Sequence, residues 1–286
     1  MASLTDDQNR LTTVKIGGKP LPPNVADAVL TATMSYASDQ VGELTLTVQD
    51  TQEAELIVSG MAKRGQPMDY AKQHLVIRTV SHDPAPGGPI VTIKARSRVI
   101  ANLKKQTGKK SWGTTDVASW VSGRVTEAGG KIVAQSVGKD AITRQDSDIA
   151  ESTLDVMRRL ADQAGAWLFE ADQTVYLGKP SWLAARKAAR RWKFTWTSHG
   201  KYSEQLTERP AWRGTDDDDA GEELELSLTG DDADQIRPGH VVTYSGKVGE
   251  ASGTWIVTEV RIPGSLVEPV LVTCKRPKDP KPVKAG

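Results

Sequence analysis

The feature that most constrains this chain is a strict alternation of apolar and polar residues in short segments. Leu44, Leu46 and Val48 alternate with threonine and glutamine, and Asp50 ends the run. A period of two is that of a strand with one buried face. Similar segments, split by turns rich in glycine and proline, occur at residues 12–16, 56–58, 75–80 and 90–95. The first hundred residues therefore predict an antiparallel β-barrel or sandwich.

The period changes to that of a helix in the middle of the chain. Residues 115–128 carry apolar residues at helical spacing, and a glycine pair follows as a stop. A second helix is predicted to begin after Ser152, with Asp155 three residues later in a variant of the capping box, and to end at Gly165. Residues 166–177 then predict a hairpin packed on these helices.

Alternation returns in the last third of the chain. Strands are predicted at residues 192–196, 224–228, 240–244, 254–260 and 267–274. Residues 184–191, rich in alanine, arginine and lysine, predict a short helix. Residues 198–222 predict an irregular connection or an exposed hairpin tip, because glycine, proline and four consecutive aspartates interrupt any period.

Charge and hydropathy exclude several classes of protein. The charges of the 37 basic and 36 acidic residues nearly cancel, so the net charge of the whole chain does not favour binding to nucleic acid or anionic lipid. No apolar run approaches the ~20 residues of a membrane helix. The first ten residues lack the basic start and apolar middle of a signal peptide. We therefore expect a soluble protein with no membrane anchor that is not exported by that route.

The sequence predicts no catalytic residue, no cofactor and no metal. The single cysteine, Cys274, lies in an apolar run without a histidine within thirty residues, which predicts a buried structural thiol. The histidines His74, His82, His199 and His240 show no zinc-ligand spacing. A glycine-rich phosphate loop is also missing. We therefore expect a protein that is not an enzyme.

Two charged segments are open to more than one interpretation. The aspartates 216–219 could chelate calcium, but they lack the Asp-x-Asp-x-Asp-Gly spacing, so a solvated, self-repelling loop is favoured. The basic segment 186–193 lies among Trp182, Trp192 and Trp196 and could bind single-stranded nucleic acid. A solvated face, with the tryptophans in a core or a subunit contact, is favoured. One hypothesis joins the two segments: the acidic loop of one subunit meets the basic segment of the next.

Several stretches resemble the tail-hub (baseplate hub) proteins of long-tailed phages and contractile injection systems. The stretches are GELTLTVQD at 42–50, VTIKARS at 91–97, ESTLDVMRRLA at 151–161, YLGKPSWL at 176–183, RPGHVV at 237–242 and GTWIV at 253–257. The likeness covers most of residues 40–276. Its specificity comes from the order and spacing of the stretches, since each of them alone is a weak motif.

The resemblance implies a mainly β (α+β) fold with two antiparallel β-barrel domains and a small helical and hairpin insertion. The domains would be an N-terminal tube-like barrel over 1–100, the insertion over 101–183, a C-terminal barrel over 184–276 with an irregular segment at 198–222, and a flexible tail over 277–286. Three subunits would form a homotrimeric ring, so that six barrels imitate the sixfold tail tube.

The resemblance also implies a structural function without catalysis. The chain would be a structural protein of the virion tail that joins the tail tube to the tail tip and leaves a channel for DNA. Its partners would be further copies of itself, tail-tube and distal tail proteins, the tape-measure protein and the tip or spike, with DNA only in transit and assembly in the bacterial host cytoplasm. The alternatives are a tail-associated cell-wall hydrolase and a carbohydrate- or nucleic-acid-binding module.

Tryptophan usage suggests where subunits could meet. The chain has eight tryptophans against two phenylalanines, and tryptophan is enriched where interfaces carry most of their binding energy. Ordinary core packing is an equally open interpretation for each tryptophan. The candidate subunit-interface residues are Trp112, Trp182, Trp212, Arg190, Arg191, Asp216 and Asp217.

Overall fold

A computed structural model describes most of the chain and shows a mainly β protein. The described residues are 14–38, 41–50, 60–70, 73–107, 116–137, 151–197, 203–214, 222–229, 233–246, 251–265 and 267–279. Predictions for residues 12–13, 56–58 and 198–202, and for the aspartates 216–219, lie outside these ranges. Among the described residues, no helix is both long and apolar enough to cross a membrane.

The strands and helices follow one another along the chain in three groups. The N-terminal group holds β1 (Lys15–Ile16), β2 (Lys19–Pro20), α1 (Pro23–Asp27), β3 (Val29–Ala37), β4 (Glu43–Gln49), β5 (Pro67–Tyr70), β6 (Gln73–Asp83) and β7 (Ile90–Ser97). The insertion holds α2 (Arg98–Lys105), α3 (Val117–Glu127), β8 (Lys131–Ala134), α4 (Thr153–Gln163), β9 (Trp167–Ala171) and β10 (Thr174–Gly178). The C-terminal group holds α5 (Pro180–Ala185), β11 (Arg191–Trp196), β12 (Ala211–Arg213), β13 (Glu223–Leu228), a 3-10 turn (Ala233–Gln235), β14 (Val241–Gly246), β15 (Gly253–Pro263) and β16 (Val270–Lys275).

A single curled sheet of thirteen strands runs through both the N-terminal and the C-terminal group. Its order is β12-β13-β16-β15-β3-β4-β7-β6-β5-β1-β2, and β14 lies beside β15 with β11 beside β14. The two groups meet where β15 pairs antiparallel with β3, from Glu259 opposite Ala37 to Pro263 opposite Thr33. We call this pairing the seam. The mainly β, antiparallel fold predicted from the sequence is confirmed; β11, which pairs parallel with β14, is an exception.

Burial along the strands follows the alternation seen in the sequence. Leu44, Leu46 and Val48 are fully buried on β4, while Thr45 and Thr47 stay half-buried on the opposite side, which we call the outer face. Buried residues from both groups, among them Leu46, Ile93, Leu224, Trp255 and Cys274, belong to one hydrophobic core. Shared backbone pairing and a shared core therefore hold the two groups together.

The insertion builds its own small core on a three-stranded sheet, in the order β8-β10-β9. The Ser152 side chain accepts from the Asp155 backbone N–H at 3.3 Å and donates to its carboxylate at 2.6 Å, which confirms the predicted cap. Asp116 caps α3 in the same way, at 2.9 Å from the Ser119 backbone nitrogen. The predicted hairpin is present as β9 and β10, with Asp172 and Gln173 both at positive φ in its turn.

Sequence patterns predicted several elements wrongly or not at all. The predicted helix over 184–191 is wrong: α5 begins at Pro180, which suits the first helical position, and Arg186 already has an extended backbone. No prediction covers α1, α2, β3 or β5. α1 and β5 are short and begin with proline, and β3 is weakly apolar, whereas α2 does carry Val99, Ile100 and Leu103 at helical spacing. The short β12 lies inside the segment predicted to be irregular.

Replacing Leu46 with alanine tests whether alternation decides burial. The variant loses a fully buried side chain, so we expect the free energy of unfolding to fall by about 2–5 kcal/mol. Thr47→Ala, on the outer face of the same strand, is the matched control and should cost less than about 1 kcal/mol. Urea denaturation of both variants measures the difference, and equal losses would contradict the assignment of the two faces.

Candidate assembly sites at the module junction and the sheet edge

The turn between β9 and β10 fastens the insertion to the N-terminal group. Gln73 donates its side-chain N–H to the Asp172 carboxylate at 2.6 Å, and Gln173 donates to the backbone carbonyl of His74 at 2.7 Å. Val41 forms an isolated parallel bridge with Glu170. The positive φ of the two turn residues directs both side chains to the same neighbour. The insertion is therefore held to β6 by hydrogen bonds at its hairpin tip.

One buried arginine from the C-terminal group completes this contact. The Arg237 Nε donates to the same Asp172 oxygen at 2.8 Å, and its Nη1 donates to the backbone carbonyls of Ile236, at 2.8 Å, and Asp234. Its guanidinium carbon lies 4.9 Å from the centre of the Tyr36 ring on β3, a cation–π contact. Arg237 thus touches all three groups of the chain, and we call this region the module junction.

A buried carboxyl group lies next to Arg237 in the module junction. Glu170 is 2% exposed; its carboxylate accepts from the Gln173 backbone N–H at 2.7 Å and from the Ser97 hydroxyl. Burial raises the pKa of Glu170 to about 7, although both hydrogen bonds act in the opposite direction. Ser97 also caps α2, by accepting from the Ile100 backbone N–H. The start of α2 and the insertion hairpin are therefore tied together.

His240 lies on the other side of Arg237. Its Nδ1 accepts from the Trp192 indole N–H and from the Arg237 backbone N–H, both at 3.2 Å. Burial and the charge of Arg237 lower the pKa of His240 to about 4. The ring is therefore neutral at pH 7, with its proton on Nε2. In that state it fixes the RPGH segment against β11.

The groups that could do chemistry are kept apart. Cys274 is fully buried in the core, and burial raises the pKa of its thiol, so it is a structural thiol as predicted. His74 and His82 lie on the surface, whereas His240 is half-buried; His199 is outside the described residues. Within the described ranges no cluster of three or more His, Cys, Asp or Glu residues could hold a metal ion. In the module junction the Ser97 hydroxyl donates to Glu170, but both residues are 2% exposed, so this pair positions segments and is closed to a substrate.

The predicted interface residues are spread over the C-terminal group. Trp182 is half-buried on α5, its ring over Gly178 and beside the Arg186 guanidinium at 5.7 Å. Trp212 is half-buried on the edge strand β12 and packs against the main core. Arg190 and Arg191 are exposed: the guanidinium of Arg190 lies 4.4 Å from the Trp192 ring centre, and Arg191 donates to the Ala184 carbonyl at 3.1 Å. Trp112, Asp216 and Asp217 lie outside the described residues. The four described side chains form no common cluster, and their interface role stays a prediction.

Sequence reasoning missed the module junction itself. The sequence predicts the hairpin over 166–177, and RPGHVV resembles a tail-hub stretch, but neither pattern pairs Arg237 with Asp172. One signal was present in the sequence: Glu170 is an acidic residue inside an otherwise apolar strand, WLFEA. A charged residue on the buried side of a strand requires a partner.

Comparisons with known proteins find the same fold in phage tail proteins. No family model matches the chain, and no curated protein matches it. The 43 kDa tail protein of prophage MuSo2 from Shewanella oneidensis has a TM-score of 0.64 at 10% identity, over 93% of this chain and 98% of that one. The tail protein from Neisseria meningitidis MC58 has a TM-score of 0.63 at 12% identity, over 92% and 95%.

A secretion-system protein has the same fold. The E. coli c3393 protein, a component of the type VI secretion system described as similar to the T4 tail proteins gp27 and gp5, has a TM-score of 0.63. It is 14% identical to this chain, and the match covers 94% of this chain and 79% of that one. At the level of fold, the resemblance to tail-hub proteins is confirmed.

The two titrating groups of the module junction are expected to oppose each other. The folded pKa of Glu170 lies above its unfolded value of 4.5, so its stabilising contribution is present below pH 4.5 and is lost as pH rises to about 7. The folded pKa of His240 lies below its unfolded value of 6.5, so its contribution is lost as pH falls from 6.5 to about 4. Between pH 4.5 and 6.5 the changes in stability that the two groups cause have opposite signs and nearly cancel.

A single substitution at each residue should reveal how much that residue contributes to the pH dependence of the free energy of unfolding. Glu170→Gln keeps the acceptor for Gln173, and we expect the stability of this variant relative to the wild type to rise with pH, by about 2–3 kcal/mol at pH 7.5, since one pKa unit is about 1.4 kcal/mol. His240→Asn keeps an acceptor in place of Nδ1, and its stability relative to wild type should rise as the pH falls below 6.5. Urea unfolding from pH 4 to 8 measures both differences. Parallel curves for the three proteins would show that neither group titrates as described.

Proposed function

Because the chain shares the fold of phage tail proteins over nearly its whole length, we propose that it is a structural component of a phage or phage-like tail. Its role is that of a hub subunit: three copies form a ring that joins the tail tube to the tail tip and leaves a channel for DNA. The observation that carries the proposal is the full-length match in fold to two tail proteins, at TM-scores of 0.64 and 0.63.

The construction of the subunit supports a mechanical role. The seam joins two sets of antiparallel strands through main-chain hydrogen bonds, so a load applied to one set passes directly to the other. The shared core lies under both sets. The module junction then fixes the insertion through Arg237 and Asp172. A subunit with these three connections behaves as one rigid body, as a ring under load requires.

The proposal assigns partners by position in the tail and assigns no catalytic residue. Tail-tube and distal tail proteins lie on one side of the ring, and the tip or spike lies on the other. The tape-measure protein and DNA pass through the ring. The protein acts in the virion tail after assembly in the bacterial host cytoplasm. A cell-wall hydrolase has no specific support: Cys274 is fully buried, and the pair of Ser97 and Glu170 is closed to a substrate.

The native mass of the purified protein tests the proposed trimer. Three copies of 30.9 kDa give about 93 kDa, and we expect sedimentation equilibrium to approach this mass as the concentration rises. Negative-stain images of the same sample should show closed rings with threefold or pseudo-sixfold outlines. A monomer at every concentration, with no rings after addition of purified tail-tube and tip proteins, would sink the proposal.

A further inference from the structure

A half-enclosed groove lies on the outer face of the sheet, at the seam. Its floor comes from β3, β4, β7, β15 and β16, and its wall comes from the insertion helices through Lys104 on α2 and Arg158 on α4. The cavity measures about 760 Å³, within the ~300–1,000 Å³ of ligand-binding clefts. Its floor includes Ser35, Thr45 and Thr273, so the groove suits a polar segment.

The charges that line this groove are not balanced. Arg96, Lys104, Arg158 and Arg261 face two carboxylates, those of Glu43 and Glu259. Glu43 is already bound by two cations, Arg96 at 2.7 Å and Lys94 at 3.7 Å. Among the described residues, no carboxylate forms an ion pair with Lys104, Arg158 or Arg261. The groove therefore attracts a ligand that carries several negative charges.

The chain itself carries such a ligand at the edge of its sheet. Around the acidic run, the flanking carboxylates are neutralised within the chain: Arg213 pairs with Glu225 at 3.2 Å, Lys275 with Glu223 at 3.2 Å and Arg276 with Glu222 at 2.9 Å. These ion pairs anchor the two ends of residues 214–222. The four aspartates 216–219 between those ends lie outside the described residues, and their mutual repulsion favours any site that offers cations.

Distance favours a groove on a second copy. Lys104 lies on α2, which packs against β6 and β7, and β7 is five strand positions from β13. At about 4.8 Å per position, that is roughly 24 Å. Residues 214–222 must leave and return to the same pair of strands, so they extend about 17 Å at most. In its own chain the segment is within reach of Arg261 on β15, two positions from β13, but it falls short of Lys104. Only the groove of a second copy therefore offers it all three cations.

We propose that residues 215–221 of one copy dock into the groove of a second copy, with the four aspartates against Lys104, Arg158 and Arg261. Residues 215–221 and the groove belong to different surfaces of the chain, so each copy would contact the next head-to-tail. Such contacts close a ring when the rotation from one copy to the next fits a whole number of copies. The inference rests on the proposed function, whose ring it would close. DNA is the other polyanion at hand, but a rigid duplex is too wide for a half-enclosed cleft, whereas one extended segment fits.

A peptide-binding measurement tests the groove whatever the oligomeric state of the chain. The ligand is a fluorescent peptide with the sequence of residues 213–223. The receptor is the full chain with the four aspartates 216–219 changed to asparagine, so that its own segment does not compete. We expect binding by anisotropy that weakens with salt, and that falls by at least about tenfold when the receptor also carries Lys104→Glu and Arg158→Glu.

Three controls accompany this binding measurement. A peptide with asparagine in place of the four aspartates should not bind. A receptor with Arg64→Glu and Lys131→Glu, two exposed cations outside the groove, should bind as the parent does. A 20-base-pair duplex should show no binding that depends on Lys104 and Arg158. Equal binding of both peptides, equal binding to both reversed receptors, or groove-dependent binding of the duplex overturns the proposal. Circular dichroism verifies that each receptor is folded.

Mixing two charge-reversed chains separates a contact between copies from a contact within one. The first variant has the four aspartates changed to lysine, and the second has Lys104→Glu, Arg158→Glu and Arg261→Glu. Neither should assemble alone, but a mixture should form mixed dimers and open alternating chains by native mass spectrometry, since the segment of each variant and the groove of the other have opposite charges. A closed ring of three is not expected, because it always contains one contact between like variants. Loss of assembly without rescue on mixing overturns a contact between copies.

The two experiments fail independently. A wild-type chain that stays monomeric while the peptide binds its groove contradicts the trimer and leaves the groove assignment standing. If a trimer persists after the charges of the groove are reversed, and the peptide does not bind, only the groove assignment is contradicted.

Discussion

The pairing of β3 with β15 is the contact on which the rest of the structure depends. β15 borders β16 along one side, and on its other side it pairs first with β14 and then with β3. A bulge between Val257 and Glu259 marks the change of partner. The extra residue, Thr258, is buried; its hydroxyl donates to the Thr273 carbonyl at 3.0 Å, and its own carbonyl accepts from Ser38 at 2.7 Å. The bulge therefore redirects the strand without leaving a buried polar group of Thr258 unpaired.

The module junction has a different role from the seam. The ion pair Arg237–Asp172 contributes little net stability, because burying the guanidinium costs solvation while the Asp172 side chain stays 50% exposed and screened by water. Its contribution is geometric: the guanidinium reaches Asp172, the Ile236 carbonyl and the Tyr36 ring only when the three groups of the chain are in register. The raised pKa of Glu170 and the lowered pKa of His240 act on stability in opposite directions as the pH changes between 4.5 and 6.5.

Local signals predicted most of the individual elements, and long-range contacts could not be predicted. The strand through Leu46 and the helix capped by Ser152 were confirmed because their periods and caps are contained in a few consecutive residues. β3 was missed because its inward residues, Ala32, Met34 and Tyr36, form a weak apolar pattern. Its partner in the seam comes from the other end of the chain, and no period in either segment encodes that register. The same holds for Arg237 and Asp172 in the module junction.

The sheet edges limit how copies of this chain can associate. The two ends of the main strand order are β2, with two residues, and β12, with three, and such short edges offer little backbone for a neighbouring strand. The longer β11 pairs with β14 only, among the described strands, but it carries the exposed Arg191 and Lys193, and charged edges oppose strand addition. Association through these edges is therefore disfavoured. Side-chain surfaces remain, and their charges favour some contacts over others: the groove at the seam is lined by four cations and two carboxylates. Two cationic grooves repel each other, so a symmetric contact of groove with groove is disfavoured.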